Sequence, residues 1–169
     1  MEEKVTLNMT QLNPVKNAYY RKFQYKSYRE NDNKAKNAIV NYLKINGHDI
    51  LSTDENYSFD IRSKKDEVMY YFEVEMKNQW VGDWNPLWKE IRIPHRKIKL
   101  VNKFRQLNSS ECVFNFYILR NDCNYAWKIN ESQMTQDSIK EIWLTNAKRS
   151  EHFFHIPYTE AKLINIKGD

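Results

Sequence analysis

Residues 68–77, VMYYFEVEMK, alternate at a period of two. Tyr70, Phe72, Val74 and Met76 fall on one face, and Tyr71, Glu73, Glu75 and Lys77 on the other, the pattern of a half-buried β-strand. Upstream, Ala35, Ala38, Ile39, Tyr42 and Leu43 recur at helical spacing. They predict a helix over 33–46, with Asp32 as N-cap and Gly47 as C-terminal stop. HDILS reads as a short strand, and YSFDIRS (57–63) as a strand carrying Asp60. The polar SKKDE between that strand and the next suits a hairpin connection, although it lacks the glycine of the tightest turns. Gly82 and Pro86 break the pattern, IRI (91–93) is a candidate short strand, and Pro94 suits the first turn of a helix over 95–107. CVFNFYIL (112–119) is a continuous apolar run, hence an interior strand with Cys112 at its buried start, and YAWKI (125–129) is another strand. TQDSIKEIWLTN reads as a helix, and the chain closes on a strand-like piece and an apolar finish. Residues 1–18 show little periodicity and read as an arm. No repeat or linker divides the chain, so one α/β domain is expected.

Composition narrows the class. The chain has 169 residues, 41% hydrophobic and 14% aromatic, enough for a substantial core. Three glycines and four prolines exclude fibrous or low-complexity material. There is no apolar run of membrane-spanning length and no signal-peptide pattern at the start, so a cytoplasmic protein away from membranes is expected. The two cysteines, Cys112 and Cys123, have no metal-site spacing and read as reduced thiols. A net charge of +5 favours a polyanionic partner, although solvated surface lysines explain it equally well.

The chemistry starts from the polar face of 68–77. In a hairpin, Asp60 on one strand comes near Glu75 on the next, and Lys77 faces the same way. Two close carboxylates need a cation or a proton between them. A hard divalent ion such as Mg²⁺, or Mn²⁺ in its place, binds carboxylates, waters and phosphate oxygens. A neighbouring lysine then orients water or stabilises charge growing on phosphate. This set suits metal-assisted phosphodiester hydrolysis.

Asp60, followed fifteen residues later by Glu75-Met76-Lys77, resembles the D…(D/E)xK signature of the PD-(D/E)xK nucleases. The surroundings match over about residues 30–130: a helix before the first motif strand, then after the second motif strand a basic helix and a buried strand. The resemblance implies a restriction-endonuclease-like central mixed β-sheet flanked by helices, with residues before 30 as an arm and those after 130 as an extension. It also implies a metal bound by Asp60, Glu75 and the main-chain carbonyl of Met76, with Lys77 as catalytic lysine. Many members carry a glutamate on the first helix, and Glu30 is the candidate here. Glu73 shares the face of Glu75 and is either a further ligand or a surface residue. The function implied is a Mg²⁺-dependent endonuclease hydrolysing DNA, by analogy phage- or mobile-element-encoded, and a homodimer where both strands of a duplex are cut.

Candidate DNA contacts are Gln79, two residues beyond Lys77, and His95, Arg96, Lys97, Lys99 and Lys103 at the predicted second helix. Arg21 and Lys22 lie in AYYRKFQYKSYRE, where cations alternate with aromatics that either stack on bases or pack on the core. Trp80, Trp84 and Trp88 pose the same choice. His48, His152 and His155 are scattered and receive no role. The alternative functions are a non-catalytic nucleic-acid-binding protein using this basic and aromatic surface, and an interaction protein whose charge is plain solvated surface.

Overall fold

A computed structural model describes residues 10–19, 25–54, 59–107 and 111–168, without the side chains of 25–30 and 32. The described residues are α/β, with nine strands in two sheets. In order they are α1 (Tyr25–Ile45), β1 (Asp49–Ser52), β2 (Ile61–Lys65), β3 (Val68–Lys77), β4 (Glu90–Pro94), α2 (Ile98–Arg105), β5 (Cys112–Arg120), β6 (Tyr125–Asn130), β7 (Ile139–Leu144), β8 (Arg149–Pro157) and β9 (Lys162–Asn165). The larger sheet runs β1-β2-β3-β5-β6-β9, and the smaller β4-β8-β7. Among the described pairings only β3 with β5 is parallel; β4 and α2 form the crossover that this direction requires.

The pleat of β3 divides the core. Phe72 and Val74 pack with Ala35, Ile39 and Leu43 of α1, so α1 covers one face of the large sheet. On the other face Phe114, Phe116 and Ile118 of β5 meet Val101 and Phe104 of α2, and Ile91, Ile93, Phe154 and Ile156 of the small sheet. No described helix is long and apolar enough to cross a membrane.

Strand β3 occupies the predicted range, and α1 ends where glycine was expected to stop it. His48 N–H donates to the Leu43 carbonyl and Gly47 N–H to that of Lys44, with Gly47 at φ +86°. This is a Schellman cap, which needs a left-handed residue. At its other end α1 starts at Tyr25, so Asp32 lies inside the helix and is not its cap. The hairpin between β2 and β3 turns on Asp66 and Glu67 at φ +49° and +65°, a glycine-free turn with both central residues left-handed.

Two further expectations fail. The second helix begins at Ile98, and His95–Lys97 form a single 3₁₀ turn before it. The helix expected in TQDSIKEIWLTN is instead a 3₁₀ turn followed by β7, which pairs antiparallel with β8 from Ile139↔Phe154 to Leu144↔Arg149. Spacing of Ile139, Ile142 and Trp143 imitates a helix, but the strand partner decides. Residues 130–169 therefore complete both sheets: β8 joins β4 to β7, and β9 adds an edge beside β6.

Candidate active site

The acidic cluster is a consequence of register. Ile61 pairs with Phe72, so the next rung sets Asp60 opposite Glu73. Asp60 sits in a bend just before β2, and its Oδ2 accepts the Val74 amide at 2.9 Å, substituting for a ladder bond. Backbone groups two residues apart along a strand point the same way, so the Met76 carbonyl is on the Val74 side, toward Asp60 and away from β5.

Glu73 is 3% exposed, and its Oε2 is buried with no hydrogen-bond partner. Burial pushes its carboxyl well above the carboxylate range; Lys97 opposes this, and the adjoining Asp60 carboxyl, within hydrogen-bond reach, adds to it.

The counter-charge comes from the turn before α2. Lys97 Nζ stands 3.6 Å from Glu73 Oε1 and 3.3 Å from Glu75 Oε1. Burial works against this ammonium, but Glu75 and then Glu73 outweigh it and hold Lys97 above its ordinary value. Arg96 Nη2 approaches Glu75 Oε1 at 3.5 Å from the exposed side. Among the described residues no group of three or more His, Cys, Asp or Glu side chains is arranged to hold a metal ion. Any cation site here would combine two carboxylates with the Met76 carbonyl and solvent.

Lys77 shares the face of Glu73 and Glu75 but is turned elsewhere. Its Nζ lies 5.1 Å from the centroid of the Trp88 ring, and burial, then the nearby Arg92 charge, lowers its pKa. The ammonium that faces the acids is thus Lys97, not Lys77. This corrects two expectations: the lysine beside the acids comes from a distant turn, and Lys97, expected on the DNA-facing surface, is buried. His95 is also buried, 2% exposed, and its Nε2 accepts the Val15 amide at 3.0 Å, so it too leaves the expected DNA surface. Arg96, Lys99 and Lys103 are exposed, and Gln79 is exposed at the strand end. Arg21 and Lys22, expected to contact DNA, lie outside the described residues, as does the side chain of Glu30.

Beyond Lys77 opens a cleft of about 480 Å³ between the 78–89 loop and the small sheet. The tryptophans divide between core and cleft. Trp80 is buried and stacked on Trp127 at 6.0 Å, and Trp84 packs edge-on to both Trp80 and Trp88. Trp84 and Trp88 also line the cleft, together with His155, whose Nδ1 lies 3.0 Å from Glu90 Oε2. Sequence reasoning gave His155 no role and placed Lys97 on the DNA-facing surface, because the neighbours each meets come from elements distant in sequence. A scan against models of known protein families and a search of curated proteins find no match to this chain.

Proposed function

We propose that this chain is a metal-dependent nuclease of the PD-(D/E)xK type, hydrolysing phosphodiester bonds in DNA. The observation that carries the reading is the convergence of Asp60, Glu73 and Glu75 with Lys97 and Arg96 on one face of β3. The element order supports it: α1, a three-stranded antiparallel run, a crossover through α2, then β5 parallel to β3. This order is compatible with the restriction-endonuclease-like arrangement that the motif implies.

The donors suit a hard ion: Asp60, Glu75 and the Met76 carbonyl are all oxygen, and the unpartnered Glu73 Oε2 stands beside them. Bound Mg²⁺ or Mn²⁺ would polarise a phosphate and acidify a water. Glu73, whose carboxyl is pushed well up by burial and further by Asp60, stands next to the ligands as a group able to pass a proton. Lys97 and Arg96 offset the carboxylates and, by position, the charge that grows on a phosphate in the transition state. Cutting both strands of a duplex would call on a second copy of the chain, since each carries one such site.

The test is cleavage of plasmid, branched and single-stranded DNA with Mg²⁺ or Mn²⁺, comparing the natural chain with Asp60→Asn and Glu75→Gln. Cleavage lost in both supports the reading, and cleavage surviving in both removes it. One observation favours the non-catalytic alternative: Lys97 already serves as a built-in counter-ion to Glu73 and Glu75. That alternative gives binding without cleavage and indifference to divalent ions.

A further inference from the structure

The cleft beyond Lys77 has a composition that neither the acids nor the core explains. Lys77, Arg92 and Lys140 line it with Trp88, Glu90 and His155. Arg92 is close enough to Lys77 to disfavour the Lys77 charge. Lys140 has an ion-pair contact of 3.7 Å to Glu90 Oε1, and Glu90 also faces His155. Cations thus outnumber acids along a concave wall, an arrangement that attracts an anion.

The same wall is aromatic. Trp84 Nε1 donates to the Trp88 carbonyl at 3.0 Å, which holds the Trp88 backbone in place. The Trp88 ring carries Lys77 over it at 5.1 Å, a weak contact open to exchange. His155 is 7% exposed, and its Nε2 is buried without a hydrogen-bond partner. With Nδ1–H turned to Glu90, Nε2 is an acceptor for an N–H group. An anion, a planar ring and an N–H donor together describe a nucleotide, and the cleft volume falls in the range of small-ligand sites, about 300–1,000 Å³.

We propose that this cleft receives one nucleotide of a single-stranded DNA segment, its base against Trp88 and its backbone charge held by Lys77, Arg92 and Lys140. The base displaces the Lys77 ammonium from the ring toward the phosphate. Lys77 follows Glu75 by two residues on one strand face, about 7 Å, so the strand held here leads directly to the acids. The inference rests on the nuclease reading for the identity of the ligand as DNA, and it makes the preferred substrate single-stranded or frayed.

The experiment is titration of the full chain, in EDTA, with a short oligothymidylate single strand, a blunt duplex of equal length and inorganic phosphate, followed by tryptophan fluorescence. The expected result is saturable quenching by the single strand, weaker by about tenfold in Trp88→Ala and in Arg92→Gln, and largely kept in Trp88→Phe. Arg92 is exposed, so Arg92→Gln tests the site even where Trp88→Ala disturbs the fold. Equal binding of duplex, an equal response to phosphate alone, or binding unchanged in Arg92→Gln and Trp88→Ala overturns the inference. Cleavage with Mg²⁺ that persists while the cleft variants bind normally sinks the cleft and leaves the nuclease. Binding at the cleft without any cleavage sinks the nuclease and leaves the cleft.

Discussion

The Nζ of Lys97 lies 3.3 Å from Oε1 of Glu75, although twenty-one residues, strand β4 among them, lie between the two in sequence. The contact is partly buried, so it is not an ordinary surface ion pair. Removing the ammonium takes away the buried counter-charge beside Glu73 and Glu75 and leaves Arg96 at the exposed side of Glu75.

Lys97→Met is therefore expected to lower stability by roughly 3–5 kcal/mol, the usual cost of stranding one partner of a buried pair. Urea denaturation checks this. Mn²⁺ is expected to raise the melting temperature of the variant more than that of the natural chain, because the ion takes over the missing counter-charge. An equal rise in both would dissociate Lys97 from the cation site.

Asp60 has two separable duties. Asp60→Asn keeps an acceptor for the Val74 amide, and is expected to fold normally while losing cleavage by about 100-fold or more. Asp60→Ala loses the acceptor as well, and is expected to cost about 1–3 kcal/mol of stability. Calorimetry and a cleavage assay on the pair separate the structural duty from the chemical one.

His48 is expected to make the fold acid-sensitive. Burial, and next the Lys65 charge, lower its pKa from 6.5 to about 4, while its Nδ1 meets Ser63 Oγ at 2.8 Å. The folded state then binds fewer protons than the unfolded one. Its contribution is complete above pH 6.5 and is lost as pH falls toward 4. Urea midpoints measured across that window should decline less in His48→Gln than in the natural chain.

Arg105 ties the start of the described chain to the segment after β6. Its Nε donates to Glu131 Oε2 at 2.9 Å, its Nη2 to the carbonyls of Glu131 and Met134, and its Nη1 to that of Thr10. Arg105→Met is expected to cost about 3–5 kcal/mol, and adding Glu131→Leu to recover part of it, since the double variant leaves no buried charge unpaired. A double-variant cycle by chemical denaturation measures the recovery.

Glu67 holds a left-handed backbone at φ +65° in the β2–β3 turn, and its contact with Lys64 at 3.5 Å is exposed. Glu67→Gly relieves a conformation that costs a β-carbon about 1–2 kcal/mol, offset in part by the entropy of glycine. A net gain of about 0.5–1 kcal/mol in thermal stability is expected, and a loss would mean that the Lys64 contact outweighs the backbone strain.

Local pattern was enough wherever one face of an element met the core. The alternation in 68–77 and the α1 stripe ending at Gly47 recur in the structure. The same period put Glu73, Glu75 and Lys77 on one face. Pattern failed over 135–146, where apolar positions fit a helix but pairing with β8 imposed a strand. It also failed at His95 and Lys97, which turn inward from a supposed helix surface while Arg96 between them stays exposed.

What the sequence determined by itself was therefore period and face: which side of each strand is apolar, where a helix must stop, and that three acids and a lysine share a strand-hairpin neighbourhood. Those properties follow from neighbours within a few residues. The tertiary structure alone decided which cation meets those acids, that Lys77 swings toward Trp88, and that His155 and Arg92 stand side by side across β4 and β8. These depend on register between strands dozens of residues apart, and burial then selects the ion pair whose partners can reach each other. Charge pattern along one chain segment carries no record of that distance.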